Sequence, residues 1–446
     1  MMLTMKPILK TLCLFSLLAV AATGCSKSSN AGQPGTGDAV KDNALLTIDQ
    51  GRQTFRFDTF GDEAFWGDTL KLHLGVAKVS PKTALAVGLK VDVDALPQDL
   101  VDKLKNGSLN LDDPANTLAL IKLNSILGVT GFFNTDGSMK SIGIQCAFCH
   151  STVDDSLAAG IGHRLDGWAN RDLNVGAIVN LSPDLSAVAA LLGVDDATVR
   201  AVLNGWGAGR YDAQLFLDGQ AAKPGGALGS AATLIPPAFG LAGVNLHTST
   251  GWGSVTYWNA FVANLEMHGK GTFFDSRLND PVKYPVATRA GFYNVRQSSP
   301  DADLITPKLA ALQSYQLAIP APTPPAGSFD AAAAGRGKAV FNGKAKCATC
   351  HVPPLFTEPG WNMHTPAEIG LTAPGDDFQA KRSPDGRYRT APLKGLWSHM
   401  KGGFYHDGRY ATLLDVVNHY NSSLPGGPLG LTDAEKTDLV EYLKSL

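Results

Sequence analysis

Two pentapeptides carry the clearest chemistry in this chain: Cys146-Ala147-Phe148-Cys149-His150 and Cys347-Ala348-Thr349-Cys350-His351. In each, two thiols spaced by two residues can add across the two vinyl groups of one porphyrin, and the adjacent imidazole then falls on the proximal side of the iron. A disulfide within each pair, or one zinc site built from both pairs, would also use the thiols. Either leaves the histidine, twice repeated beside the second cysteine, without a task. The spacing therefore predicts two covalently attached haem c groups, held by Cys146, Cys149, His150 and by Cys347, Cys350, His351.

The other two of the six cysteines lie near the N-terminus. Residues 1–24 read as a secretory leader, with Lys6 and Lys10 ahead of an apolar stretch from Thr11 to Ala22 that is too short to span a membrane. Ala22-Thr23-Gly24-Cys25 resembles a bacterial lipobox, with Ala22 where Leu is usual, and predicts lipidation at Cys25; an ordinary leader cut nearby is the alternative. This reading makes the protein a periplasmic lipoprotein anchored to the outer membrane by its lipid alone. Export suits covalent haem attachment, which takes place outside the cytoplasm. A net charge of −2 and a charged fraction of 17% speak against a nucleic-acid partner. No run reaches the roughly 18 apolar residues of a membrane span, so a globular chain is expected beyond the leader.

The elements that must position these motifs follow from the length of 446 residues, enough for two or three domains. Residues 25–50, polar and small over SKSSNAGQPGTGDAVKDN, read as a flexible tether. Residues 51–319 read as an N-terminal haem domain with an extension, its helix-like patches being SPKTALAVG, LPQDLVDKLKNG, DPANTLALIKLNSILGV and DDATVRAVLNGW. The proline-rich stretch 320–328 reads as a linker, and 329–446 as a C-terminal cytochrome c domain. That domain opens with a helix containing Gly337 and Phe341. It closes on TDAEKTDLVEYLKSL, where Thr432 and Glu435 predict a capping box and Leu439, Val440, Leu443 and Leu446 share a face. The expected fold class is mainly α, with two cytochrome-c-like haem domains, long loops and an N-terminal extension.

The C-terminal part resembles the dihaem cytochrome c peroxidase and MauG superfamily. The matching residues are CATCHVPPLFTEPG (347–360), YRTAPLKGL (388–396), GGFYHDGRYATL (402–413) and VVNHYN (416–421). In the first half, AGIGH ending at His163 and NRDLNVGAIVN from Asn170 match more weakly, and residues 51–140 match nothing in the peroxidases. Dihaem rubber oxygenases are more distant relatives in the same superfamily.

The resemblance implies the remaining roles. Tyr420, 14 residues after His406, falls where that family carries the sixth ligand of the C-terminal haem, Met in the peroxidases and Tyr in MauG; Met400, Met363 and His399 are substitutes, and a packed aromatic is the plain alternative. His163 falls near the distal ligand of the N-terminal haem, with His73 a competitor. Glu266, in a Glu-Met pair, would carry a proton between peroxide oxygens, with His268 able to serve instead. Arg389 and Arg409 would meet haem propionates ahead of Lys394 and Arg382. A calcium ion would sit near Asn170, and an indole from the Trp252–Trp258 stretch would relay electrons or pack in a core. The implied activity is reduction of hydrogen peroxide at the N-terminal haem, with electrons from a small cytochrome or cupredoxin entering at the C-terminal one. Two other readings stay open: a MauG-like or rubber-oxygenase-like oxidase or dioxygenase, and a non-catalytic electron carrier.

Overall fold

Helices dominate the computed structural model, which describes residues 37–223, 231–399 and 401–446. The expected leader, Cys25 and the substitute ligand Met400 lie outside the described residues. Ala44–Leu446 form one compact unit. Its strands are short and pair two by two, in five two-stranded sheets among the described residues. No helix among the described residues is long and apolar enough to cross a membrane.

Helix starts follow the local chemistry. Ser80, Asp113 and Asp195 each accept a backbone N–H of the first turn ahead of the helices Pro81–Ala86, Pro114–Lys122 and Asp196–Trp206, which supplies partners for otherwise orphaned donors. The expected tether is shorter than 25–50, because residues 39–50 belong to the helix Ala39–Phe57. Its buried residues Gly51, Thr54 and Phe55 recur at helical spacing. Gly51 backs directly onto the helix Leu309–Ala318, where a Cβ would lie 1.9 Å from the Ala311 carbonyl oxygen.

The extension wraps the first motif. A π-helical turn, Ala64–Thr69, lies against the hairpin Val129–Phe133/Met139–Ile144, so close that a Cβ on Gly67 would meet Ser141 Oγ at 1.6 Å. The second strand of that hairpin runs straight into Cys146. Further on, Val91–Asp92 pairs in parallel with Ile161–Gly162.

In the C-terminal part, Ala331–Asn342 crosses Asp433–Lys444 at Gly337, where a Cβ would be 2.0 Å from the Asp438 carbonyl oxygen. Arg336 pairs with Asp438 at 2.7 Å, and the Phe341 and Tyr442 rings meet edge to face at 5.2 Å. Thr432 and Glu435 form the capping box. Both helices are those expected from the sequence, and Cys347 follows the first of them at once. The proline-rich stretch is pinned, since Trp397 Nε1 donates to the Pro322 carbonyl at 3.0 Å. A polar hub joins the two halves: the buried Arg382 guanidinium binds Asp212 at 2.9 Å and Asp218 at 2.7 Å, while Gln379 donates to Gln214.

Candidate haem sites

His150 and His351 are oriented alike. His150 Nδ1 donates to the Pro236 carbonyl at 3.1 Å, and His351 Nδ1 donates to the Phe356 carbonyl at 3.2 Å. A carbonyl can only accept, so each Nδ1 carries its proton and each Nε2 keeps its lone pair for a metal. Burial pulls His150 down to about 4 and lowers His351 as well, which keeps both rings in the neutral, ligating form. None of the four motif cysteines is in a disulfide. The pairs also belong to separate cores: Cys146 and Cys149 pack with the N-terminal clusters and Cys347 with the C-terminal one. Separate packing speaks against a single zinc site using all four.

Around the first motif, Glu266 ends a π-helical turn, Val262–Glu266, closed by Met267 N–H on the Val262 carbonyl at 2.8 Å. The wider turn directs its side chain inward, where it is 5% exposed. Tyr211 hydroxyl donates to Glu266 Oε2, while Oε1 is buried without a partner. Burial holds this carboxyl well above the carboxylate range, and its partner Tyr211 packs against the same apolar cluster as Cys149. His268, at φ +59°, stacks on Phe65 at 3.8 Å and meets Phe216 edge-on at 5.1 Å. Its Nε2 is buried without a partner, and burial pulls it down to about 4. Phe65 belongs to the extension, which thus supplies the ring that His268 stacks on.

His163 is placed elsewhere. Its side chain is 58% exposed, and its Nδ1 lies 3.0 Å from both carboxylate oxygens of Asp94. Arg164 beside it binds Asp92 at 3.0 Å. The extension therefore holds this loop by its strand pairing and by both ion pairs, with the His163 ring toward Asp94 and solvent. His73 is buried with Nδ1 unpartnered. Asn170 donates to the Gly88 carbonyl, leaving its Oδ1 buried and unpartnered.

Around the second motif, the Tyr420 ring lies 6.1 Å from the Tyr405 ring and 5.3 Å from the His419 ring, and burial raises its hydroxyl to about 12. Of its substitutes, Met363 borders Gly251 and Arg389, and His399 borders Phe239 and Arg171.

Buried cations test the fit to haem directly. Arg389 has a buried, unpartnered Nη1, its Nε donates only to the Thr248 carbonyl, and burial pulls it down to about 10. His247 Nδ1 and Thr248 Oγ1 beside it are unpartnered too. Arg171 has an unpartnered Nε and is likewise pulled to about 10 by burial and by Arg210, with His399 Nε2 unpartnered next to it. A buried guanidinium with no carboxylate is costly, and a haem propionate is the anion each lacks. Arg409 behaves otherwise: Asp407 at 2.8 Å and Asp376 at 2.6 Å already satisfy it, and Arg382 is held in the hub. Arg171 was not singled out in the sequence, since nothing local marks an arginine as buried and alone. The donor sets fit two haem c groups.

The Trp252–Trp258 pair packs in an aromatic cluster with Tyr257, Phe261 and Phe273. A different pair links the halves: Trp168, next to the Gly167 N–H that bonds the His150 carbonyl, meets Trp397 edge to face at 5.6 Å.

No protein-family model matches the chain. Over 127 residues it is 32% identical to the methylamine utilization protein MauG of Methylorubrum extorquens, a match covering 25% of this chain and 34% of that protein. Over 151 residues it is 30% identical to the cytochrome-c peroxidase IdrP1 of Denitromonas iodatirespirans, covering 26% of this chain and 40% of that one. The chain thus spans two-fifths or less of the curated relatives it matches. Among solved structures, a MauG-like protein associated with microbial copper homeostasis is 22% identical, with a TM-score of 0.25 over 36% of this chain and 60% of that one. The sequence matches support a likeness to the MauG and cytochrome c peroxidase superfamily, a group of oxidoreductases, over part of the chain.

Proposed function

We propose that this protein is an exported dihaem c-type cytochrome that reduces hydrogen peroxide at the Cys146–His150 haem with electrons received at the Cys347–His351 haem. The observation that carries this reading is Glu266: a buried carboxyl with one oxygen held by Tyr211, which packs against the same apolar cluster as Cys149, and the other oxygen without a partner. When bound, the two haem groups supply the iron centres that accept and pass electrons. Cleaving the O–O bond requires a proton on the departing oxygen and removal of one from the other. Glu266 can give its proton from Oε1 to the outer oxygen and take the inner oxygen's proton in return, so the carboxyl is unchanged. Hydrogen peroxide, two electrons and two protons then yield two waters. His268 is the second candidate for the proton transfer. The Trp168–Trp397 contact offers an electron route between the halves. A small cytochrome or cupredoxin is the expected donor, and lipidation of Cys25 the expected anchor.

The test is steady-state oxidation of a reduced cytochrome by peroxide. The expected outcome is turnover that Glu266→Gln lowers by about 100-fold or more with haem content unchanged. No peroxide-dependent oxidation in either the oxidised or the half-reduced protein would overturn the reading. The position of Tyr420, 14 residues after His406, favours a second reading, a MauG-like or rubber-oxygenase-like oxidase or dioxygenase, because a phenolate ligand would favour ferric iron. Product formation from oxygen and a hydrocarbon or protein substrate would select it.

A further inference from the structure

Glu266 does not stand alone in its pocket. Its hydrogen-bonding partner Tyr211 lies on the strand pair Arg210–Tyr211/Thr233–Leu234. That ladder continues through Ile235 to Pro236, whose carbonyl grips His150. This pairing of two segments distant in the chain therefore sets both the His150 ring and Tyr211. The next residue, Asp212, is locked from the C-terminal half by Arg382 and also accepts the Gln214 N–H at 3.1 Å. Trp206 packs edge-on against the Tyr211 ring at 5.0 Å. Backbone, neighbour and ring are all held, so the phenol has little freedom to swing.

We infer that Tyr211 is a positioning residue for proton transfer at the first haem site: by donating to Glu266 Oε2 it leaves Oε1, with the acid's proton, as the oxygen without a protein partner. The inference rests on Glu266 being the proton carrier. A protonated carboxyl has one acceptor oxygen and one hydroxyl, and a donor at Oε2 makes that oxygen the acceptor. The proton is thereby assigned to Oε1, which has no protein partner. The other groups acting on Glu266 are Asp212 and Arg382, and they are engaged with each other, so neither replaces the phenol.

The experiment compares Tyr211→Phe, Glu266→Gln and Glu266→Asp in the haem-loaded protein. It reads the oxidised-minus-reduced infrared spectrum and the pH profile of peroxide-dependent oxidation. A buried carboxyl should give a C=O stretching band that Glu266→Gln removes. Tyr211→Phe should move that band to higher frequency, because the carbonyl loses its donor, and should lower turnover by about 10-fold or more. It should also shift the alkaline limb to higher pH, since a hydrogen bond that favours the ionised form is lost. Glu266→Asp, which withdraws the carboxyl from the phenol, should move the band the same way and so tests the contact from the other side. If Tyr211→Phe and Glu266→Asp leave the band in place and Tyr211→Phe keeps the wild-type profile, while Glu266→Gln abolishes turnover, the positioning role falls and the proton-carrier reading stands. Wild-type turnover in Glu266→Gln sinks the proton-carrier reading, and this inference with it.

Discussion

At the scale of single residues, what matters is which atom of a polar group is left free. His150 and His351 spend Nδ1 on a carbonyl and keep Nε2, and Glu266 spends Oε2 and keeps Oε1. Arg171 and Arg389 keep a buried N–H each, and that leftover capacity is what fits them to an anion. His268 adds a pH signature. Its folded-state value of about 4 lies below the ordinary 6.5 because burial disfavours the charged ring. The unfolded chain therefore binds the extra proton between those values, and the stability this residue contributes is present above about 6.5 and lost as pH falls toward about 4. Thermal unfolding of the wild type should lose midpoint over that window more steeply than that of His268→Phe; parallel curves would remove His268 as a source. The motif cysteines and histidines were legible from identity and spacing. Which arginine meets an anion was not, because pairing of Arg409 with Asp376, 33 positions away, is a tertiary event.

At the scale of elements, short-range chemistry wrote the helices well. Ser80, Asp113, Asp195 and Thr432 all cap where the sequence marks a start. The crossing of Ala331–Asn342 over Asp433–Lys444 depends on Gly337, which allows the backbones to touch. Gly337→Ala would gain about 1 kcal/mol of helix propensity but push the last helix away, and overpacking of this kind costs about 1–3 kcal/mol. Chemical denaturation should show net destabilisation, whereas a stabilised variant would mean that the crossing tolerates a methyl. The two π-helical turns, Ala64–Thr69 and Val262–Glu266, have no local signal in the chain. They place Phe65 against the His268 ring and Glu266 against the Tyr211 hydroxyl.

At the scale of the whole molecule, the halves meet through Arg382, Asp212 and Asp218, all fully buried. Arg382→Met would leave two buried acids without their cation, a loss of about 3–5 kcal/mol. Denaturant unfolding should report that loss together with a shallower or two-step transition as the halves uncouple; an unchanged midpoint would show the hub to be dispensable. The sequence by itself determined the two Cys-x-x-Cys-His motifs, the capped helices and the first and last helices of the C-terminal part, because each rests on residues close in the chain or on helical period. Only the tertiary structure decided that the extension draws His163 toward Asp94, that Tyr211 holds Glu266, that Trp168 meets Trp397, and that Arg171 and Arg389 rather than Arg409 stand free. Those outcomes depend on which distant partner reaches a buried group first, and one-dimensional spacing carries no record of that competition.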